Sequence, residues 1–159
     1  MGIEIERKFL VVDDGWRDGA VASRIRQAYL VRGAGRSVRV RDEDGRVTLT
    51  IKGPADDPHG MRRAEFEYEV PAADADGLFA LCEPGTIDKT RHRVHVAGRT
   101  WEVDEFHGVL APLVVAEVEL DDPGAEVVLP SWVGTEVTGD PAYTNGALSR
   151  RVAGADVRS

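Results

Sequence analysis

Glu4, Glu6 and Lys8 alternate along the opening stretch Ile3-Glu4-Ile5-Glu6-Arg7-Lys8-Phe9-Leu10-Val11. Alternate residues of an extended strand point to opposite faces, and same-face neighbours stand roughly 6.5–7 Å apart. Two carboxylates at that spacing repel unless a cation lies between them. A divalent metal is one candidate, since hard cations take oxygen ligands. For this strand alone a half-buried strand with a wet polar face explains the pattern equally well. The pattern recurs, however. Glu65 and Glu67 share a face, as do Glu102 and Asp104, and Glu117 and Glu119. Arg39 with Arg41 and Lys89 with Arg91 are the corresponding basic pairs, and Lys52 stands on the polar side of its own alternating run. An ordinary sheet surface mixes its charges; here they are sorted by sign, strand by strand. A ligand that wants both signs at once is a polyphosphate with a divalent metal. Arg forks and Lys point charges grip phosphate oxygens, and carboxylates hold Mg²⁺ or Mn²⁺.

The elements that must position these residues are mostly strands. After the first strand, Asp13-Asp14-Gly15-Trp16-Arg17 reads as a turn opening a short helix. Ile25 to Arg32 is a second strand, with Gln27 and Tyr29 on one face. Val38-Arg39-Val40-Arg41 and Val47 to Lys52 form a hairpin about Asp44-Gly45. Gly53 to Met61 is a loop whose Asp56, Asp57 and His59 are solvated. Further strands follow at Arg63 to Val70, Ile87 to Val96, Thr100 to Asp104 and Leu113 to Asp121. Helices are expected over 71–83, where Pro71 suits a first turn, and over 141–148. The tail over 151–159 is expected to be flexible.

Eight strands with charged inner faces close naturally into an antiparallel barrel, which has no exposed edges and leaves room for one small ligand. The expected fold is therefore all-β dominated (α+β): an eight-stranded antiparallel tunnel with a charged interior and flanking helices, in one domain over 1–150. The outward apolar faces then need cover, which the helices can partly supply. A dozen charges in such an interior cost several kcal/mol each if unpaired, so the interior reads as functional.

Composition narrows the classes. The 159 residues carry 28 acidic and 20 basic side chains, a formal charge of −8, which argues against a non-specific nucleic-acid binder. The single Cys82 gives no intrachain disulfide and no cysteine cluster for zinc. His92-x-x-His95 lacks further ligands. No leader and no long apolar run is seen, so the expectation is a cytoplasmic protein with no membrane partner. Neither a G-x-x-x-x-G-K-[ST] loop nor a kinase signature is present.

Glu4-Ile-Glu6-Arg-Lys8 resembles the E-x-E-x-K signature of the CYTH superfamily, the triphosphate tunnel metalloenzymes. Further blocks follow in the family's order: Val38 to Arg41, Thr48 to Lys52, Glu65 to Glu69, Ile87 to Arg91, Trp101 to Asp104 and Ala116 to Glu119. Glu136 to Asp140 and Tyr143-x-Asn145-x-x-Leu148 resemble the short bacterial members. The resemblance implies a tunnel that binds linear triphosphates and acts on them with a divalent metal. Lys8, Arg39, Arg41, Lys52, Lys89 and Arg91 would hold the triphosphate. Glu4, Glu6, Glu117 and Glu119 would ligate metal, with Glu65, Glu67 and Asp104 as further ligands or water-positioning groups. Of these, Glu4, Glu6, Lys8, Asp104, Glu117 and Glu119 form the implied catalytic set. Gln27 and Tyr29 would line the tunnel, and a helix at Tyr143 to Leu148 would plug one end. Arg63, Glu69, Arg93 and His95 also lie on charged faces and are expected at the rim or in solvent. The implied activity is tripolyphosphate hydrolysis to pyrophosphate and phosphate, by a protein that can pair into a homodimer. A class IV adenylyl cyclase, a thiamine or nucleoside triphosphatase, and a non-catalytic polyphosphate or nucleotide binder remain alternatives.

Overall fold

The computed structural model describes residues 2–158. Its elements run β1 (Ile3–Val11), β2 (Val21–Gly33), β3 (Arg36–Glu43), β4 (Arg46–Ala55), β5 (Arg62–Val70), α1 (Ala75–Ala80), β6 (Ile87–Val96), β7 (Arg99–Phe106), β8 (Val114–Glu119), β9 (Val133–Glu136) and α2 (Asn145–Arg158). The antiparallel order β5-β4-β3-β2-β6-β7-β8-β1 closes on itself where Ile3 pairs with Ala64 and Ile5 with Arg62. The expected barrel of eight strands is present, with β9 as an extra strand on β1.

β1 changes partner along one edge. Its first residues close the barrel against β5, whereas Phe9 and Val11 pair with β9. Between the two, the Glu6 N–H donates to the Met61 carbonyl at 3.1 Å. Ala34-Gly35, Asp44-Gly45 and Ala97-Gly98 all take positive φ and connect β2–β3, β3–β4 and β6–β7. Two-residue turns of this hand match the twist of the strands they join.

The alternation of β1 sends Phe9 outward into the largest core cluster. Phe9, Trp16, Trp101, Val103, Val118 and Trp132 pack together on the outside of β1, β6, β7 and β8. Trp132 stands edge-on to Trp101 at 5.5 Å, so the irregular chain after Pro123 is what covers this face. α1 lays Leu78 and Phe79 over Val40 and Val47 on the outside of β3 and β4. Ile3, Ile51, Phe66 and Tyr68 remain exposed on the outside of β1, β4 and β5.

Several boundaries differ from expectation. β2 starts at Val21, before the expected Ile25. The helix expected over 71–83 is a 3-10 turn, Ala72–Asp74, followed by the six residues of α1. Gly77 weakens it, and the Glu83 N–H is drawn away to the Tyr29 carbonyl at 2.8 Å. The helix expected over 141–148 does not cover the outer face. A 3-10 turn, Pro141–Tyr143, leads into α2, which continues as helix to Arg158; Ser159, at the end of the expected tail, lies outside the described residues. Leu148 of α2 instead meets Ile87, Phe106, Leu110 and Val115. Ile87, Phe106 and Val115 share the inward face of their strands with the charged residues, so α2 is an apolar stopper in one end of the barrel. Thr144 caps it, its Oγ1 accepting from the Ala147 N–H at 3.0 Å.

The stopper is fixed at Gly85, whose carbonyl accepts from Ser149 Oγ at 2.6 Å. Gly85 has φ +105, and a Cβ there would run into the Ser149 carbonyl. Gly85→Ala is therefore expected to destabilise the protein by about 1–3 kcal/mol through strain and overpacking. Urea unfolding measures this; an unchanged midpoint would show that α2 does not depend on the contact.

Candidate active site

The barrel interior collects the charged residues that alternation assigned to it. Lys52 Nζ lies 2.8 Å from Glu4 and 3.3 Å from Glu65. Lys8 Nζ stands 3.6 Å from Glu117 and donates to the Tyr143 carbonyl at 3.1 Å, so the plug contributes a backbone oxygen and not its phenol. Asp104 accepts three bonds: Oδ1 accepts from Arg91 Nε at 2.8 Å, and Oδ2 accepts from Lys89 Nζ at 2.7 Å and Arg91 Nη2 at 2.8 Å. Arg91 also reaches Glu102 at 3.1 Å and Glu117 at 3.9 Å. Gln27 is buried, and its Oε1 accepts from both Nε and Nη2 of Arg41, at 3.0 and 2.7 Å. Among the described residues Arg39 has only a 3.4 Å bond to Thr50, whose hydroxyl donates to Glu67 at 3.1 Å. Tyr29 reaches the tunnel wall with Arg32 over its ring. Glu67 and Glu119 are exposed, at the mouth opposite α2. Arg93 lies at that mouth too, bonded to Glu43 at 2.6 Å, with Glu102 at 3.3 Å.

The electrostatics of this interior are uneven. Burial pushes the Glu6 carboxyl up, and the neighbouring Glu117 and Glu4 carboxylates push it further, well above the usual range. Burial, Glu4 and Glu102 likewise raise Glu119. Glu4 feels the same burial, but the Lys52 ammonium outweighs it and holds the carboxyl at about 2. Burial opposes the ionised form of Asp104, yet Arg91 and Lys89 keep it well below its ordinary value. Among the cations, burial lowers Lys89 to about 7 against the pull of Asp104, and lowers Arg41 to about 9 with help from Arg39 and Arg91.

Two groups of the tunnel are left over. Arg39 Nε and Gln27 Nε2 are buried with no hydrogen-bond partner among the described residues. The amide orientation of Gln27 follows from chemistry: Arg41 only donates, so the oxygen must face it and the NH₂ must face away. Unpaired buried donors cost roughly 1–3 kcal/mol each, unless an acceptor comes from outside the chain. Arg39 and Arg41 are also without a carboxylate in bonding range among the described residues. A cavity of about 250 Å³ opens onto Glu6, Lys8, Arg39 and Lys52.

The donor set suits a hard divalent cation, though not as it stands. Among the described residues no three acidic or imidazole groups converge as ready ligands. Lys52 and Lys8 occupy Glu4 and Glu117 instead, while Glu6 is destabilised by its own neighbours. A phosphate that drew the two lysines away would free exactly the oxygens a cation needs, and a cation would relieve Glu6.

An antiparallel barrel with this interior is the tunnel of the CYTH class, and the CYTH domain model matches residues 2–143. The chain belongs to that family, which implies a divalent metal. An inorganic triphosphatase of Acetivibrio thermocellus is 44% identical over 149 residues, covering 93% of this chain and 94% of that protein. An inorganic triphosphatase of Nitrosomonas europaea is 34% identical over 151 residues, covering 92% and 96%. The crystal structure of an inorganic triphosphatase superposes with a TM-score of 0.64 at 32% identity, covering 92% of this chain and 93% of that one.

Strand alternation found the residues of the tunnel wall but not what surrounds them. Thr50 and the Tyr143 carbonyl carry no charge to draw notice. Arg32, Arg36 and Arg150 join the cavity from three separate elements, and only the fold brings them together.

Because the Glu6 carboxyl is raised above its unfolded value, the folded state loses stability as pH climbs from that value through the raised one. Glu6→Gln should therefore melt higher than wild type in EDTA at pH 8, the gain shrinking at pH 4. Mg²⁺ or Mn²⁺ should raise the wild-type melting temperature at pH 8 and leave the variant nearly unmoved. Equal metal shifts in both proteins would remove Glu6 from the ligand set.

Proposed function

We propose that this protein is a divalent-metal-dependent triphosphatase that hydrolyses inorganic tripolyphosphate to pyrophosphate and phosphate within its tunnel. The observation that carries the reading is the pair Arg39 and Arg41: two guanidiniums inside a carboxylate-rich hollow, with no carboxylate bonded to either among the described residues. Both are donors waiting for oxygens. The named activity of two relatives that match nearly the whole chain supports the same assignment.

In this reading Arg39, Arg41, Lys8, Lys52, Lys89 and Arg91 grip the triphosphate and spread its charge. Gln27 holds Arg41 in plane. Asp104 fixes Lys89 and Arg91, and so acts through them. Glu4, Glu6, Glu117 and Glu119, with Glu65 and Glu67 toward the open mouth, supply oxygens for Mg²⁺ or Mn²⁺. That ion, once bound, neutralises phosphate charge and acidifies the attacking water. Phosphoryl transfer asks mainly for position and charge compensation, both of which a rigid barrel provides. The small cavity and the covered ring of Tyr29 offer a nucleoside no stacking surface, which favours an inorganic substrate. The same reading makes the protein a cytoplasmic small-molecule enzyme without nucleic-acid or membrane partners. Among the described residues no helix is long and apolar enough to cross a membrane. The exposed Ile3, Ile51, Phe66 and Tyr68 support pairing into a homodimer.

The test incubates protein and Mg²⁺ or Mn²⁺ with tripolyphosphate, ATP or thiamine triphosphate, and measures phosphate and cyclic AMP. Phosphate from tripolyphosphate is expected to dominate. Lys52→Ala should raise KM roughly tenfold, and Glu4→Ala should lower kcat by about 100-fold at saturating substrate. Cyclic AMP without phosphate would make the protein a cyclase, and tight binding without turnover would make it a binder.

A further inference from the structure

We infer that Thr138 is a positioning residue for the tunnel: its hydroxyl, aimed by Glu136 and Arg7 on the outside of the barrel, fixes the main chain of β1 at Lys8 and so sets where the Lys8 ammonium stands. The inference rests on the triphosphatase reading, in which Lys8 grips substrate. β1 changes neighbours at this point, pairing with β5 as far as Ile5 and with β9 only from Phe9. Lys8 falls in the interval. Its N–H donates to Thr138 Oγ1 at 2.9 Å, and its carbonyl accepts from the Val137 N–H at 2.8 Å. A side-chain hydroxyl thus stands where a neighbouring strand would supply a carbonyl. At the far end of the same residue, the ammonium is shared between Glu117 at 3.6 Å and the Tyr143 carbonyl at 3.1 Å.

The hydroxyl is aimed from outside. Thr138 has one hydroxyl proton, and Glu136 Oε2 takes it at 2.7 Å, the Lys8 carbonyl being farther away at 3.4 Å. A lone pair is then left for the Lys8 N–H. Glu136 is in turn gripped as a fork by Arg7, whose Nε and Nη2 donate to its two oxygens at 2.9 and 2.8 Å. Bidentate pairs of this kind fix geometry as well as charge. An ion pair at the surface adds little to stability, so its bearing on the site is directional: it holds Glu136 Oε2 in place for Thr138. Adjacent residues of β1 therefore serve one end from opposite faces. Arg7 points outward, its guanidinium 5.1 Å from the Phe9 ring, while Lys8 points into the tunnel. A slip of one residue here would exchange them. Smaller displacements matter as well, since a misplacement of about 1 Å can cost a reaction 100-fold.

The test is a double-mutant cycle between Thr138→Val, which removes the hydroxyl, and Lys8→Ala. Tripolyphosphate binding is measured by calorimetry in EDTA, and kcat and KM with Mg²⁺ or Mn²⁺, at a temperature where circular dichroism shows the variants folded. Thr138→Val should weaken binding about fivefold and lower kcat about tenfold, whereas Thr138→Ser should stay within about twofold of wild type on both. In the Lys8→Ala background the same Thr138→Val change should alter binding by less than about 1.5-fold, because the group it positions is gone. Glu136→Ala keeps Thr138 but frees its hydroxyl. It should weaken binding about threefold, again only while Lys8 is present, and it decides the matter if Thr138→Val does not fold. An equal loss in both backgrounds would make Thr138 a general support of the fold, and no loss in either would show that Lys8 stands without it; both overturn the inference. Turnover by wild type with an additive cycle sinks the inference alone. Binding without turnover but with a coupled cycle sinks the triphosphatase assignment and leaves Thr138 as the residue that positions Lys8.

Discussion

A hollow lined with ionised side chains must be neutralised from within or by what enters it, and this requirement governs the barrel. Strand register sets like charges directly opposite each other, Glu6 against Glu119 and Glu102 against Glu117. Such pairs destabilise a sheet. The chain offsets part of the repulsion with its own cations, through Lys52 between Glu4 and Glu65 and Arg91 among Asp104, Glu102 and Glu117. The compensation is incomplete in both directions. Glu6 is left an acid crowded by acids, and Arg39 and Arg41 are left bases without acids. The residue of this internal balance is the complement of a metal–polyphosphate complex.

Stability comes from elsewhere. The tryptophan-rich cluster outside β1, β6, β7 and β8 and the α1 cover on β3 and β4 lie outside the barrel, and the apolar stopper at Leu148 closes one end of it, with the Phe106 ring 5.4 Å from Lys89 Nζ. That separation lets the interior stay electrostatically strained while the shell remains ordered. It also holds the Arg39 and Arg41 donors ready ahead of a substrate, whereas Lys8 and Lys52 must first leave their carboxylates.

What could be read from the chain follows from period. In β1, β3, β6 and β8 one residue in two is charged, so alternation alone assigned Glu4, Glu6, Arg39, Arg41, Lys89, Arg91 and Glu117 to a common face. The family's block order then supported the closure that pairs Ile3 with Ala64. Elements without a period were missed. β9 has four residues and lies in an irregular stretch after Pro130, where no alternation can register. α1 was overestimated because helical spacing over 71–83 says nothing about the Tyr29 carbonyl that claims the Glu83 N–H. The meeting of Arg36, Arg63 and Arg150 in one cavity was invisible for a different reason. Arg36 sits beside a turn, Arg63 near the start of a strand and Arg150 within a helix, so no sequence window contains two of them.

The two ends of the tunnel are not equivalent, and the difference follows from the order of charges along each strand. On β1 the acids Glu4 and Glu6 precede Lys8; on β3 Arg39 and Arg41 precede Glu43. Antiparallel pairing turns those opposite orders into the same direction in space. Glu4, Glu43, Glu67, Glu102 and Glu119 therefore gather toward the mouth away from α2, with Arg93 the cation bonded among them. Lys8, Arg39 and Lys52 face the α2 side, where Arg36, Arg63 and Arg150 extend the positive wall to solvent. A field of this polarity draws anions to one end and cations to the other, and low-dielectric barrel walls focus it along the axis. The two fields thus meet in the middle, where Glu6 is crowded by Glu4 and Glu117 and Lys8 is shared between Glu117 and the Tyr143 carbonyl.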